Sequence, residues 1–491
     1  MKIAIFVSHL PPHVGGIEVV AEGQIKALAG AGHDVRVITS ASGAKPGRSK
    51  SNGYEVRRIR AWDTLEEKMG AVFPIYSPTI VWHAYKAVKK ADIVHAHDAF
   101  YLTSLVAALW ARVLGRPLIL TQHVSFVPHP SKVVNLAERI VYASTGCFIW
   151  RSSEAIIVLN SRVKEFLIDK GIEGSKIAFL PNAVDVDRFS PACQGEKCTL
   201  RRKYNLPEDR ILGLFVGRLV PKKGFAQLLE LQTIENLELV FAGGEAPNGH
   251  ARNDHHFLGC VGREHISEVF KMCDFFLLPS QGEGFPVTVQ EAMACGLPVI
   301  TTADPAYDLY KLDDSLLKLV EPTTSRLKTE LQITASDREL RLEMGMYSRS
   351  YAIEHFDLDT HVSQLLSIYN RERSKIALLS RHALKGVSVR RAGARSAGPP
   401  PRSAADTLIS RRHRLRTPTR CAADGAECRD AAVLCGKPDA DDPSLRAKSQ
   451  ARAASIGWRR TKTPADGGHP DYCDLKLVKY IQRHRIYHKV S

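Results

Sequence analysis

Short apolar runs alternate with amphipathic stretches over most of the chain. Lys2 to Ser8 is a continuous apolar run of strand length, and Ile17 to Ala29 places apolar residues at helical spacing. Further strand-like runs lie at Asp34 to Ser40, Asp92 to His95, Pro117 to Thr121 and Ala155 to Leu159. The pattern then restarts, with strands expected at Leu212 to Val216, Leu237 to Ala242, Phe275 to Leu278 and Pro298 to Thr302. Strands separated by helices predict parallel sheets with crossover connections. Two such sets, in a chain of 491 residues, predict an α/β protein of two doubly wound, Rossmann-like domains. The two face a cleft at the carboxyl ends of their strands, where open α/β sheets bind ligands. Pro, Asn and Asp cluster between Pro181 and Pro191, which marks the linker. Helical spacing continues through Leu342 to His355 and Asp359 to Tyr369.

Charge separates the rest of the chain from this body. From Arg381 to Ser491 there are 24 Lys and Arg against 10 Asp and Glu, so that segment carries +14 of the net +16. It is rich in Arg, Ala, Pro, Ser and Asp, includes Pro399-Pro400-Pro401, and has too few large apolar residues to bury a core. It reads as a disordered basic tail, with a short basic amphipathic helix at Leu475 to Val490. The run Leu102 to Val113 is broken by Trp110 and Arg112 and is too short to span a bilayer. The start of the chain reads as a buried strand, not a signal peptide. The expected location is therefore the cytoplasm, with peripheral contact at the inner face of an anionic membrane. The ten cysteines lack the short spacings of metal sites and are expected as free thiols.

The most specific segment is Pro279-Ser280-Gln281-Gly282-Glu283-Gly284-Phe285-Pro286, running into Val287 and a helix that carries Glu291 and ends at Gly296. Pro286 suits the first helical position, where its missing N–H costs nothing. The free N–H groups of Gly284, Phe285 and Val287 would then meet a ligand at a helix N-terminus. Glu283 and Glu291 can accept sugar or ribose hydroxyls in a fork. On these residues the chain resembles glycosyltransferase family 4, the group 1 transferases of GT-B fold, whose mark is two glutamates at this spacing. The resemblance implies that Glu283 lies by the transferred sugar and Glu291 binds the donor ribose. It also implies that His123, after the strand Pro117 to Thr121, holds the donor sugar near the reaction centre.

Three more segments fit. Arg218 and Lys223 lie five apart after the strand Leu212 to Val216, as in the family, where they meet the donor diphosphate. Lys222 reads as solvated. Gly15 and Gly16 precede a helix and let backbone approach a donor or acceptor. They do not form a dinucleotide fingerprint, which disfavours an oxidoreductase. Asp185-Val186-Asp187 invites a metal reading, yet it matches the family's interdomain segment. His95 and His97, placed on the cleft side, lack a convincing third ligand. The resemblance thus implies a retaining, metal-independent enzyme with no cofactor beyond the nucleotide-sugar. Arg218 and Lys223 take the charge of the leaving phosphate, and reaction proceeds on one face of the sugar. The expected limits are 1–180 for the acceptor-side domain and 181–356 for the donor-binding domain. Residues 357–373 form a helix returning to the first domain, and 374–491 form the basic low-complexity tail. The expected partners are a nucleotide-sugar and a glycan or lipid-linked acceptor, without specific nucleic acid. Three features depart from the family, one of them the tail, which has no family counterpart. The segment from Gly243 to Phe257 is short of a helix, and Thr302 to Asp308 lacks a glycine pair. A nucleotide-sugar epimerase of the same fold is the nearest rival. Binding of nucleic acid or anionic membrane through the tail is the next.

Overall fold

A computed structural model describes residues 1–395, apart from 14, 52, 64–72 and 127–130. Two sheets organise this body. The first contains β1 (Lys2–Phe6), β2 (Asp34–Ser40), β3 (Gly47–Ser51), β4 (Tyr54–Ile59), β7 (Ile93–His97), β8 (Leu118–Gln122), β9 (Ala155–Val158) and β10 (Ile177–Phe179). Their order is β10-β9-β8-β7-β1-β2-β4-β3, parallel except for the β3–β4 hairpin at one edge. A separate two-stranded ribbon pairs β5 (Ala61–Trp62) with β6 (Ile75–Tyr76). The second sheet contains β11 (Ile211–Val216), β12 (Leu237–Ala242), β13 (His255–Phe257), β14 (Phe275–Leu278), β15 (Val299–Thr302) and β16 (Lys318–Val320). Its order is β13-β12-β11-β14-β15-β16, and every pair is parallel.

The central strands are apolar on both faces because helices cover both, so they read as unbroken runs, not as alternation. Each sheet reverses its winding beside its first strand. In the first sheet β1 lies between β7 and β2, and in the second β11 lies between β12 and β14. Loops leaving these strands splay apart at the reversal and open a crevice. The loops after β1, β11 and β14 are those that carry Gly15 and Gly16, Arg218 and Lys223, and Glu283.

β12 and β13 are parallel, yet only residues 243–254 join them, and these form turns instead of a helix. The sequence departure at Gly243 to Phe257 is thus a crossover reduced to near its shortest length. At Gly243, φ is +124° and an added Cβ would lie 2.3 Å from the Gly217 carbonyl oxygen. Glycine is what lets this turn cross the start of the Arg218 loop.

The two halves are joined twice. Val184 donates its N–H to the Phe356 carbonyl at 2.8 Å, which ties the outgoing segment to the returning one. The chain then enters the helix Leu358–Arg395. Val362, Leu365 and Tyr369 on this helix are buried against Ile3, Ile5 and Ile157 of the first sheet. The helix continues past residue 373, into what the sequence suggested was tail. The stretch from Ser374 to Arg395 is rich in Ala, Leu, Lys and Arg, which favour helix, and contains no proline. The remainder of the expected tail, including Leu475 to Val490, lies outside the described residues. The six cysteines among the described residues are unpaired. No helix among those residues is long and apolar enough to cross a membrane.

Candidate active site

The basic loop after β11 is held by a glycine. Gly224 has φ +76°, and a Cβ there would sit 2.2 Å from the Pro279 carbonyl oxygen. Only a bare backbone can lie so close to the end of β14. Gln281 donates its N–H to the Lys222 carbonyl at 2.9 Å, which zips the two loops together. The result is an ion pair between the Lys223 ammonium and the Glu283 carboxylate at 2.6 Å, both largely shielded from solvent. Lys222 is exposed, as its neighbours in sequence suggested. Arg218 is exposed; its carbonyl accepts the Val220 N–H at 2.8 Å, while its guanidinium makes no hydrogen bond or ion pair among the described residues.

The helix Val287–Ala294 begins one residue later than the sequence suggested. Pro286 is the cap, with extended backbone (φ −63°, ψ 142°), and its carbonyl accepts from Val289 at 3.0 Å. A proline serves there equally well, since the cap's own N–H has no partner inside the helix. Phe285 turns its ring into the core, stacked on Tyr310 at 4.2 Å, so only its backbone remains for a ligand. Gly284 faces the other half of the molecule: a Cβ on it would meet the Asn160 amide nitrogen at 2.4 Å. Glu291 is half-buried. Its enclosure pushes the carboxyl up to about 7, against the pull of the Arg188 and Arg263 guanidinium groups. Each hydroxyl given to such a carboxylate replaces water it has lost.

From the first sheet comes a chain of histidines. His97 Nδ1 and His123 Nε2 are 3.0 Å apart. His95 Nε2 lies 2.8 Å from the Thr121 hydroxyl, and its Nδ1 lies 2.6 Å from the Tyr369 hydroxyl on the returning helix. β7 runs on past the Asp92 to His95 stretch read from sequence, so that His97 too stands within it. His95 is fully buried with both nitrogens engaged inside the protein, so it does not face the cleft as the sequence suggested. The longer strand carries it into the sheet. Burial lowers His123 to about 4 and His95 to about 3, and holds His97 well below the ordinary range. All three are neutral near pH 7.

Gly15 caps the helix Gly16–Gly30 with extended backbone, and no other residue lies near Gly16 where a side chain would be. What approaches Gly15 is Glu18, whose carboxylate would be 2.2 Å from an added Cβ. Glu18 folds back to the His13 Nδ1 at 2.9 Å, and His13 stacks on His9 with ring centroids 4.2 Å apart. His9, His13 and Glu18 bring three metal-capable atoms within 4.8 Å of one another. Two imidazoles and a carboxylate are a ligand set that zinc-class ions accept. Asp185 instead serves a turn, accepting the Arg188 N–H at 3.0 Å, between the buried Val184 and Val186.

Several residues of the site were not found from sequence. Arg162 forms a two-pronged pair with Asp304 at 2.7 and 2.9 Å and also donates to the Glu283 carbonyl at 3.4 Å. Ser161 donates to the Ala306 carbonyl, and Tyr310 donates to the Leu159 carbonyl at 2.6 Å. Arg263 pairs with Glu22 at 2.7 Å. All five contacts join the first half to the second. The one local clue was Asn160-Ser161 after β9, a helix-cap pair; Asn160 does accept the Val163 N–H at 2.9 Å.

Comparison with known proteins agrees with this geometry. The sequence model of glycosyltransferase family 4 matches residues 14–188, and that of glycosyl transferases group 1 matches residues 196–350. The UDP-Gal:alpha-D-GlcNAc-diphosphoundecaprenol alpha-1,3-galactosyltransferase of Escherichia coli is 26% identical over 391 residues, covering 75% of this chain and 97% of that one. The alpha-galactosylglucosyldiacylglycerol synthase of Streptococcus pneumoniae is 25% identical over 248 residues, covering 45% of this chain and 62% of that one. Among solved structures, sucrose-phosphate synthase from Thermosynechococcus elongatus shares the fold with a TM-score of 0.59 at 20% identity, over 75% of this chain and 98% of that one. With both halves matched in order and the GT-B arrangement in place, the chain belongs to the group 1 glycosyltransferases and is a glycosyltransferase.

Proposed function

We propose that this protein is a retaining, metal-independent hexosyltransferase that moves a sugar from a nucleotide-sugar to a glycan or lipid-linked acceptor. The observation that carries this reading is the convergence of Lys223 on Glu283 beside Arg218 at the reversal point of the second sheet. A donor diphosphate arriving there meets the free Arg218 fork and draws Lys223 off Glu283. That exchange frees the Glu283 carboxylate for the sugar hydroxyls. As the anomeric bond breaks, charge grows on the leaving phosphate oxygen, and the two cations stabilise it where a divalent metal would otherwise act. Glu291 takes the ribose diol, the backbone from Gly284 to Val287 takes further oxygens, and His123 holds the sugar from the opposite sheet. The loop with Gly15 and Gly16 borders the donor on the side where the acceptor enters.

Retention, by reaction on one face of the sugar, is part of this proposal. A double-displacement mechanism needs a second carboxylate about 5 Å from the first. His123 is neutral near pH 7, and in this proposal the leaving phosphate itself receives the acceptor's proton on the same face of the sugar. The acceptor class rests on the two relatives, whose names specify a diphosphoundecaprenol-linked and a diacylglycerol-linked sugar, and the donor class on the first of them. Such acceptors fit an enzyme that works in the cytoplasm, peripheral to the inner face of the membrane.

The test is nucleotide release from a panel of UDP-, GDP- and ADP-sugars with a membrane-lipid extract and a chelator. One donor should turn over. Arg218→Ala should slow it by about 10²- to 10³-fold, the range for losing one preorganised donor of charge stabilisation. Lys222→Ala should leave it nearly unchanged. Equal effects of the two substitutions would refute the assignment. Loss of turnover in chelator would transfer the charge-neutralising role to a metal, with His9, His13 and Glu18 as the first ligands to examine. An acceptor-independent change of the donor sugar would identify an epimerase instead.

A further inference from the structure

The helix Lys132–Val141 is built inside out. A soluble helix turns its apolar stripe to the core, yet this one buries no residue. Val133, Leu136 and Ile140 are 72%, 60% and 58% exposed. At 3.6 residues per turn these three fall on one side, with Ala137 between them. Val134, Asn135, Glu138 and Val141 take the side toward the protein. Lys132 and Arg139 border the apolar side, both exposed, and Arg139 lies over the Phe126 ring at 5.3 Å. Beyond the helix end, Arg112 and Arg151 line the adjoining groove.

We infer that this face is a membrane-docking surface that inserts Val133, Leu136 and Ile140 into the interface of a bilayer rich in anionic lipid. Three observations select that occupant. A ten-residue helix is about 15 Å long, far too small to supply the roughly 800 Å² per partner of a stable dimer. Its border is basic, which repels the chain's own +14 tail and attracts anionic headgroups. An apolar ridge flanked by Lys and Arg is also the build of helices that lie in the membrane plane. The helix begins ten residues after the end of β8, the strand that precedes His123. The inference rests on the reading of a lipid-linked acceptor but is tested without it.

The experiment is flotation of the full-length protein with vesicles of phosphatidylcholine, alone or mixed with phosphatidylglycerol. It compares wild type with Leu136→Ser/Ile140→Ser, and is repeated in about 1 M NaCl, where the Debye length is about 3 Å. High salt removes binding by the tail and leaves apolar insertion. Wild type should float with the mixed vesicles and stay partly bound at high salt. The double variant, its fold checked by circular dichroism, should partition at least about tenfold more weakly there, with donor-only nucleotide release unchanged. Equal flotation of the two, or no flotation of wild type, overturns the inference. A change in sedimentation from dimer to monomer in the variant also overturns it, by assigning the face to a second copy. Vesicle binding without turnover of any donor would sink the proposed reaction and leave the docking surface standing.

Discussion

Glu291 is a carboxyl placed where ionisation is costly until a ligand arrives. With its proton held to about 7, the group is split between two forms at neutral pH. Only the ionised form accepts two hydroxyls. Nucleotide-sugar affinity is therefore expected to rise from pH 6 to pH 8. Glu291→Gln should flatten that rise and weaken binding about ten- to a hundredfold, the worth of a hydrogen bond to a charged group. Calorimetric titration of donor across that range checks both. A profile in which the variant rises as steeply as wild type would place the titrating group elsewhere, for instance on the phosphate. At this scale the sequence was most legible where the motif was dense: Lys223 of the basic loop meets Glu283 of the Gly-Glu-Gly turn. It was least legible where partners come from distant segments. No local pattern connects Arg162 with Asp304, or His95 with Tyr369, because each pair meets only after two sheets have formed.

Elements set how those residues meet, and Gly224 shows it most sharply. Its positive φ and its close approach to Pro279 leave no room for a methyl group. Gly224→Ala is expected to cost about 1–3 kcal/mol from backbone strain alone, with a further cost as the loop lifts from β14. Lys223 then leaves Glu283. A denaturation midpoint and donor affinity both equal to wild type would show that the loop does not depend on this contact. The parallel strands were readable because burial on two faces makes them uninterrupted apolar runs, as in Phe275–Leu278. The hairpin β3–β4 was missed because Gly47–Ser51, Gly-Arg-Ser-Lys-Ser, is an edge strand almost without apolar residues. The end of β7 is hard to read for a related reason: a polar residue within a buried strand, such as His97, looks like loop.

Across the whole molecule, the buried histidines tie stability to pH. Burial brings His95 to about 3 and His123 and His361 to about 4, with His97 also well below its usual value. In the unfolded chain each takes a proton near 6.5. Between those values the unfolded state binds more protons, so stability rises with pH. The contribution is complete above about 6.5 and is lost as pH falls toward 4. Thermal melts should show a falling midpoint over that interval, and His361→Gln should make the slope shallower. A midpoint that holds steady between pH 6.5 and 4.5 would contradict the arrangement.

Tyr369 also bears on how the protein is made. The last strand of the first sheet ends at Phe179, but the helix that covers Ile3, Ile5 and Ile157 arrives some 190 residues later in the chain. At roughly 5–20 residues per second of synthesis, that face waits about 10–40 s for its cover. During translation the first half therefore stands as a half-clad sheet, a substrate for chaperones, until the ribosome delivers the helix Leu358–Arg395.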